Sequence, residues 1–254
     1  MSFIAAWQFL TSIPVPFRRQ PGPAALGRAT ACFPVVGLVI GLVLAGLNWA
    51  FRLVLPPAVA NALLIVVLVV ITGAMHLDGL ADTCDGLAGH KPGEERWRVM
   101  RDSRAGAFGL VGIVLLLLVK YVSLNSLPAN MITATLIFMP VAGRWAMVYA
   151  VFAYPYARPE GLGTAFKQAT RWPQFTAATV ITLVIALALL PLFSLTGVAV
   201  MFGVWIVTVI LAAYLRRKFA GLTGDTYGAI NEVAEVMVLL FICIIAGRGL
   251  AYLI

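Results

Sequence analysis

Long apolar runs alternate with short polar segments along the whole chain, and their lengths predict membrane-spanning helices. Seven runs reach or approach the roughly 20 residues that a span needs. They lie at about 31–54, 58–75, 106–124, 129–153, 174–193, 196–214 and 233–254. Phe3 to Ile13 is apolar but too short to cross. It runs into Ile13-Pro-Val-Pro16, which predicts an interfacial or re-entrant helix. The fold class read from this pattern is all-α: a polytopic integral membrane helical bundle of about seven transmembrane helices, plus the N-terminal interfacial or re-entrant helix. Residues 1–254 read as a single integral membrane domain. Met1-Ser-Phe-Ile lacks the basic start of a cleavable leader.

Composition strengthens the membrane reading. The chain is 62% hydrophobic and 11% charged, against about 25% charged in an ordinary soluble domain. Cys32, Cys84 and Cys243 have no metal-type spacing and read as small core hydrophobes. The net charge of +8 fits anionic lipid and phosphorylated ligands better than nucleic acid, because the charges do not form a soluble face. Of the 18 Lys and Arg residues, 14 fall in the N-terminal arm and in the loops at 76–105, 154–173 and 215–232, which an odd span count places on one side. The positive-inside rule makes that side cytoplasmic in a bacterial inner membrane. Nine of the ten acids lie in the same loops, and the tenth, Glu235, is expected at the cytoplasmic start of the last span.

The strongest chemical signal is His76-Leu-Asp78-Gly79-Leu-Ala-Asp82-Thr-Cys84-Asp85-Gly86, directly after a stretch, Ala58 to Met75, with no charged residue. On a helix, steps of about 100° put Asp82 about 40° and Asp85 about −20° from Asp78. The three carboxylates share one arc, and Leu80, Cys84 and Leu87 point the other way. Like charges so close call for a cation, and hard oxygen ligands beside phosphates suit Mg²⁺. The competing reading is a solvated acidic patch or a set of helix caps.

Three further polar clusters share that side. Arg101-Asp102-Ser103-Arg104 leads into the third span. Arg101 and Arg104 can clamp a pyrophosphate, Asp102 can add a metal ligand, and a helix N-terminus at Gly106 can add backbone donors toward the same anion. Gly161 and Gly163, between Glu160 and Lys167, allow close backbone approach to a ligand or form an ordinary turn. Thr223-Gly-Asp225-Thr226 opens the last helix as a cap or as part of a site, with Glu232 seven residues beyond Asp225 on the same face. Acids entering an apolar helix are functional candidates by default. Arg144 sits inside the fourth span and needs an acid or a substrate phosphate, whereas Lys120 and Arg248 are expected to snorkel outward. His76 can orient a carboxylate, move a proton or anchor the interface. His90 reads as a plain loop residue.

Taken together, His76 to Gly86, Met100-Arg-Asp-Ser-Arg104, Glu160-Gly-Leu-Gly163 and Thr223-Gly-Asp-Thr226 with Gly228-Ala229 closely resemble the cobalamin synthase family, also called adenosylcobinamide-GDP ribazoletransferases. Ser12-Ile-Pro-Val-Pro16 and Phe33-Pro34-Val-Val-Gly37 are similar to that family's N-terminal segments. The resemblance implies Mg²⁺-dependent joining of adenosylcobinamide-GDP to α-ribazole or its 5′-phosphate, releasing GMP and adenosylcobalamin or its 5′-phosphate. It implies Asp78, Asp82, Asp85 and Asp102 as metal ligands and Arg101 and Arg104 on the nucleotide. Arg144, Gly161, Gly163 and Thr223 join the substrate-binding set. Asp82 is counted with the catalytic group, and Asp225, Glu232 or His76 is the proton acceptor. The bulk of a corrinoid leaves room for a homo-oligomer or a complex with other enzymes of that pathway.

Two other classes share some of these features. Asp82-Thr-Cys-Asp85-Gly86 echoes the start of the CDP-alcohol phosphotransferase signature, but Gly89-His90 stands where that signature has Ala-Arg. Its two later aspartates are missing. An ion-coupled transporter places its acids near the midplane of paired broken helices. Here the acids gather at one face, and the sequence has no internal repeat.

Overall fold

The computed structural model describes residues 2–15, 27–88, 106–157, 162–189 and 196–247. Among these residues the chain forms ten α-helices: α1 Ser2–Leu10, α2 Phe33–Phe51, α3 Pro57–Ile71, α4 Met75–Ala88, α5 Ala107–Ser126, α6 Ala129–Ala153, α7 Leu162–Ala169, α8 Trp172–Ala188, α9 Thr196–Phe219 and α10 Gly224–Gly247. No strand forms among them; Tyr156 and Leu222 make one isolated parallel bridge. Prolines pre-organise several helix starts, with Pro57, Pro34 and Pro173 in the first two positions of α3, α2 and α8. Arg216, Arg217 and Lys218 in the last turn of α9 complement its dipole.

Five segments are long and apolar enough to cross a membrane: Gly27–Phe51, α5, α6, α9 and α10. The α3–α4 pair, bent by 87°, and the α7–α8 pair, bent by 92°, bring the count to as many as seven. The expected bundle of about seven helices therefore stands, with two corrections. The span expected at 58–75 stops at Ile71, and the acidic motif occupies a separate helix, α4, nearly at right angles to it. Gly73 and Ala74 make this turn with φ of 60° and 57°, a left-handed step that costs a non-glycine residue about 1–2 kcal/mol. Backbone groups freed inside a bilayer need partners. Ser12 supplies them: its N–H donates to the Ile71 carbonyl at 2.7 Å and its hydroxyl to the Val70 carbonyl at 2.7 Å. The N-terminal helix is thereby tied to the break that aims α4.

The last span begins at Gly224, nine residues before the expected 233, so Asp225, Asn231, Glu232 and Glu235 all lie within α10. Glu235 is not at the cytoplasmic start. Eleven residues into this 24-residue helix, it lies about 16 Å along the axis, near the middle of the span. The acids are admitted because they are paired, as described below.

The central span is α6, buried along nearly its whole length. Small residues let its neighbours approach. Gly37 and Gly41 of α2, four apart, sit where a Cβ would come within 2.6 Å of the Pro140 carbonyl oxygen and 2.5 Å of that of Ile137. On its other side, a Cβ at Gly143 would meet Asn231 Oδ1 at 2.7 Å. Lys167 of α7 donates to the Val151 and Phe152 carbonyls at 3.0 and 2.8 Å, and so caps the end of α6.

Candidate active site

The acidic helix α4 lies against the first turns of α10, and glycines set how closely. A Cβ at Gly79 would come within 2.7 Å of the Asp225 carbonyl oxygen. One at Gly228 would come within 3.1 Å of the His76 backbone. The two backbones therefore nearly touch, and this crossing brings Asp78 of α4 and Asp225 of α10 to the lining of one cavity of about 320 Å³. His76, Gly163 and Gly224 line it too, with an apolar wall from α1, α2, α6 and α7. Acids 147 residues apart in sequence thus meet at one opening.

The helical arc predicted for the motif forms as expected over Met75–Ala88. Asp78 is exposed, Asp82 and Asp85 are half-buried, and the opposite face packs inward through Leu77 and Leu80. Asp85 is engaged with protein backbone. Its two oxygens accept hydrogen bonds at 2.8 Å from the N–H groups of Gly106 and Gly109, at the start of α5. The donors expected to face a substrate anion at Gly106 are directed to Asp85 instead, because a carboxylate one helix away satisfies the orphan N–H groups and the dipole together. Asp85→Ala should therefore act as a lost cap. Thermal unfolding of the detergent-purified variant should show a loss of about 1 kcal/mol, up to about 2.

Thr223, expected to touch substrate, is fully buried and caps α10. Its hydroxyl accepts from the Thr226 N–H at 3.3 Å, and its own N–H donates to Thr226 Oγ1 at 2.8 Å. Gly163 does line the cavity, packed against the Tyr156 ring. Arg101, Asp102, Arg104 and Gly161 lie outside the described residues, as do His90 and Arg248.

Two other candidates take up a different position. Glu232 and Arg144 do not line the cavity; they belong to a buried ionic network. Lys120 donates to Glu232 Oε2 at 2.7 Å and to Glu235 Oε2 at 2.6 Å, while Arg144 pairs with Glu235 Oε1. Asn231 donates to the same Glu235 oxygen at 3.2 Å. Lys120, expected to snorkel outward, is turned inward and only 2% exposed, because two carboxylates offer it a better partner than the interface. Two cations face two anions here, so the cluster is neutral and knits α5, α6 and α10 together. This role for Lys120 was missed from sequence. The available signal was charge balance: Glu232 and Glu235 share a helix face, and Lys120 and Arg144 are cations set well inside α5 and α6.

Among the described residues no three His, Cys, Asp or Glu side chains gather around one point. Mg²⁺ does not require that. It usually takes one or two carboxylates, keeps several waters and binds substrate phosphates. Asp78 and Asp82, four apart on one helix with Asp78 open to the cavity, supply that donor set.

Comparison with known proteins agrees with the motif reading. The family described as cobalamin-5-phosphate synthase matches residues 2–243. The chain is 39% identical over 246 residues to the adenosylcobinamide-GDP ribazoletransferase of Geotalea daltonii, covering 97% of this chain and 98% of that one. It is 39% identical over 234 residues to the enzyme of that name from Roseiflexus sp., covering 92% and 86%. With its Pseudomonas putida counterpart it shares 37% over 250 residues, covering 94% and 97%. No solved structure matches the chain.

Proposed function

Because the chain belongs to the cobalamin-5-phosphate synthase family, we propose that it is an adenosylcobinamide-GDP ribazoletransferase, and that the cavity at the α4–α10 crossing is its active site. A ribose hydroxyl of α-ribazole, or of its 5′-phosphate, attacks the cobinamide-linked phosphorus, and GMP leaves. The 5′-phosphate survives in the product of the phosphorylated substrate, so the attacking hydroxyl is not the 5′ one. The observation that carries this reading is the meeting of Asp78 and Asp225 at one cavity, since phosphoryl transfer depends on positioning and on charge stabilisation at the phosphates.

Asp78 and Asp82, with Asp102, would hold Mg²⁺, which when bound neutralises charge on the pyrophosphate. Asp85 serves as the anchor that fixes α5 against this helix. Asp225, arriving from the other helix, is the residue that accepts the hydroxyl proton; Glu232 is paired to Lys120 away from the cavity. Arg101 and Arg104 steady the leaving nucleotide. On this reading the site faces the cytoplasm of the bacterial inner membrane, which the clustering of Lys and Arg on one set of loops supports.

Labelling tests the direction of attack. With ¹⁸O in the ribose hydroxyls of α-ribazole, mass spectrometry should find the label kept in the corrinoid product and absent from GMP. Label in a guanylyl–ribazole diester, with cobinamide phosphate released in place of GMP, would place the attack on the other phosphorus and overturn this mechanism.

A further inference from the structure

We propose that the cavity between α4, α6, α7 and α10 receives the flat bicyclic base of the ribazole, and that His76 donates a hydrogen bond to the base's unsubstituted ring nitrogen. This rests on the transferase reading above and assigns one part of one substrate to one part of the site.

The walls are shaped for a planar apolar ring. Phe9, Phe33 and Phe166 form a mutual cluster, with ring centroids 5.9 Å (Phe9 to Phe33), 4.6 Å (Phe9 to Phe166) and 5.8 Å (Phe33 to Phe166) apart, and all three line the cavity. A second pair of lining rings, Tyr156 and Tyr227, stacks at 6.1 Å. Aromatic faces of this kind favour stacking with another π system. The volume of about 320 Å³ falls at the lower end of the ~300–1,000 Å³ range of small-molecule sites. That suits a nucleoside and not a corrinoid.

His76 supplies the specificity. It is 1% exposed, it lines the cavity, and neither ring nitrogen has a hydrogen-bond partner among the described residues. A buried polar group without a partner is costly, so this one is built to meet something. A neutral imidazole presents one N–H donor. A benzimidazole attached to ribose through one nitrogen keeps the other as an in-plane acceptor, the complement of that donor. A base lodged among the rings leaves its ribose to the carboxylates of the same cavity, where the attacking hydroxyl is needed.

The test is a double-mutant cycle between protein and ligand. Binding constants are measured for α-ribazole and for its analogue with CH in place of the unsubstituted ring nitrogen, on the detergent-purified wild type and on His76→Ala. The wild type should bind the analogue about tenfold more weakly, the value of one net hydrogen bond of about 1.4 kcal/mol. His76→Ala should bind both ligands alike. Equal binding by the wild type, or a penalty that persists in His76→Ala, would overturn the assignment. Should the variant fail to fold, photolabelling of the wild-type protein with an azidobenzimidazole riboside decides. Label on cavity-lining residues of α1, α2, α4, α6, α7 or α10 that α-ribazole chases supports the site; label only elsewhere overturns it. GMP release by a wild type that fails these binding tests would sink this assignment alone, whereas no release at all would sink the transferase reading beneath it.

Discussion

Asp225→Asn is expected to lower turnover by roughly 10²–10³-fold while leaving the protein folded, a scale set by removing one proton acceptor or one stabiliser of developing charge. Two effects compete in this variant, and their sizes separate them. Asp225 lies in the first turn of α10, where an acid contributes about 0.3–1 kcal/mol through the helix dipole. Its loss therefore moves the unfolding temperature only slightly. The catalytic effect is several times larger, since 10²–10³ corresponds to about 2.7–4 kcal/mol of barrier. Asp78→Asn should show a similar fall in turnover, together with a rise in the Mg²⁺ concentration needed for half-maximal rate. Steady-state kinetics across a Mg²⁺ titration, paired with thermal unfolding of the same samples, checks both. A folded Asp225→Asn protein with near-normal turnover would remove this residue from the chemistry.

The second large effect concerns stability. Glu235 accepts from Lys120, Arg144 and Asn231 at once, and it is fully buried. Glu235→Leu leaves Arg144 as an uncompensated buried cation, which should cost about 3–5 kcal/mol. Burial of an intact ion pair is by contrast close to neutral against an apolar replacement of similar size. Adding Arg144→Met to Glu235→Leu should therefore restore most of the loss, since Lys120 and Glu232 remain as a balanced pair at 2.7 Å. Denaturant titration in detergent measures the four proteins of this cycle. Equal stability of wild type and Glu235→Leu would show that the network contributes nothing to the bundle.

How much of this was legible in the chain depends on the range of the interaction involved. The carboxylate arc of α4 was readable because it needs only 100° steps over eleven residues, all local. The apolar lengths of α5, α6 and α9 were readable for the same reason. The break at residues 72–74 was not, because Gly73 is an ordinary glycine within an apolar run and Ala74 gives no sign of its left-handed backbone. Hydropathy also placed the last span too late. A window that rejects acids cannot know that Glu232 and Glu235 will be neutralised by Lys120, more than a hundred positions away. Asp85 illustrates the same limit on a smaller scale: its hydrogen-bond partners, Gly106 and Gly109, stand 21 and 24 residues on, so local spacing could not show that it anchors the start of α5. Gly79 and Gly228 carry no sign in the sequence of the role they play. Their use is to bring two helices close enough for Asp78 and Asp225 to share a cavity.

That shared cavity is the centre of the account, and one assay tests it most directly. Detergent-purified protein is given adenosylcobinamide-GDP and α-ribazole, with Mg²⁺ or with EDTA, and GMP and corrinoid products are followed by mass. The account predicts GMP and cobalamin in equal amounts, only with Mg²⁺, and loss of both in Asp78→Asn and Asp225→Asn. Folded protein that forms neither product, or forms them equally well in EDTA or without both aspartates, would contradict it.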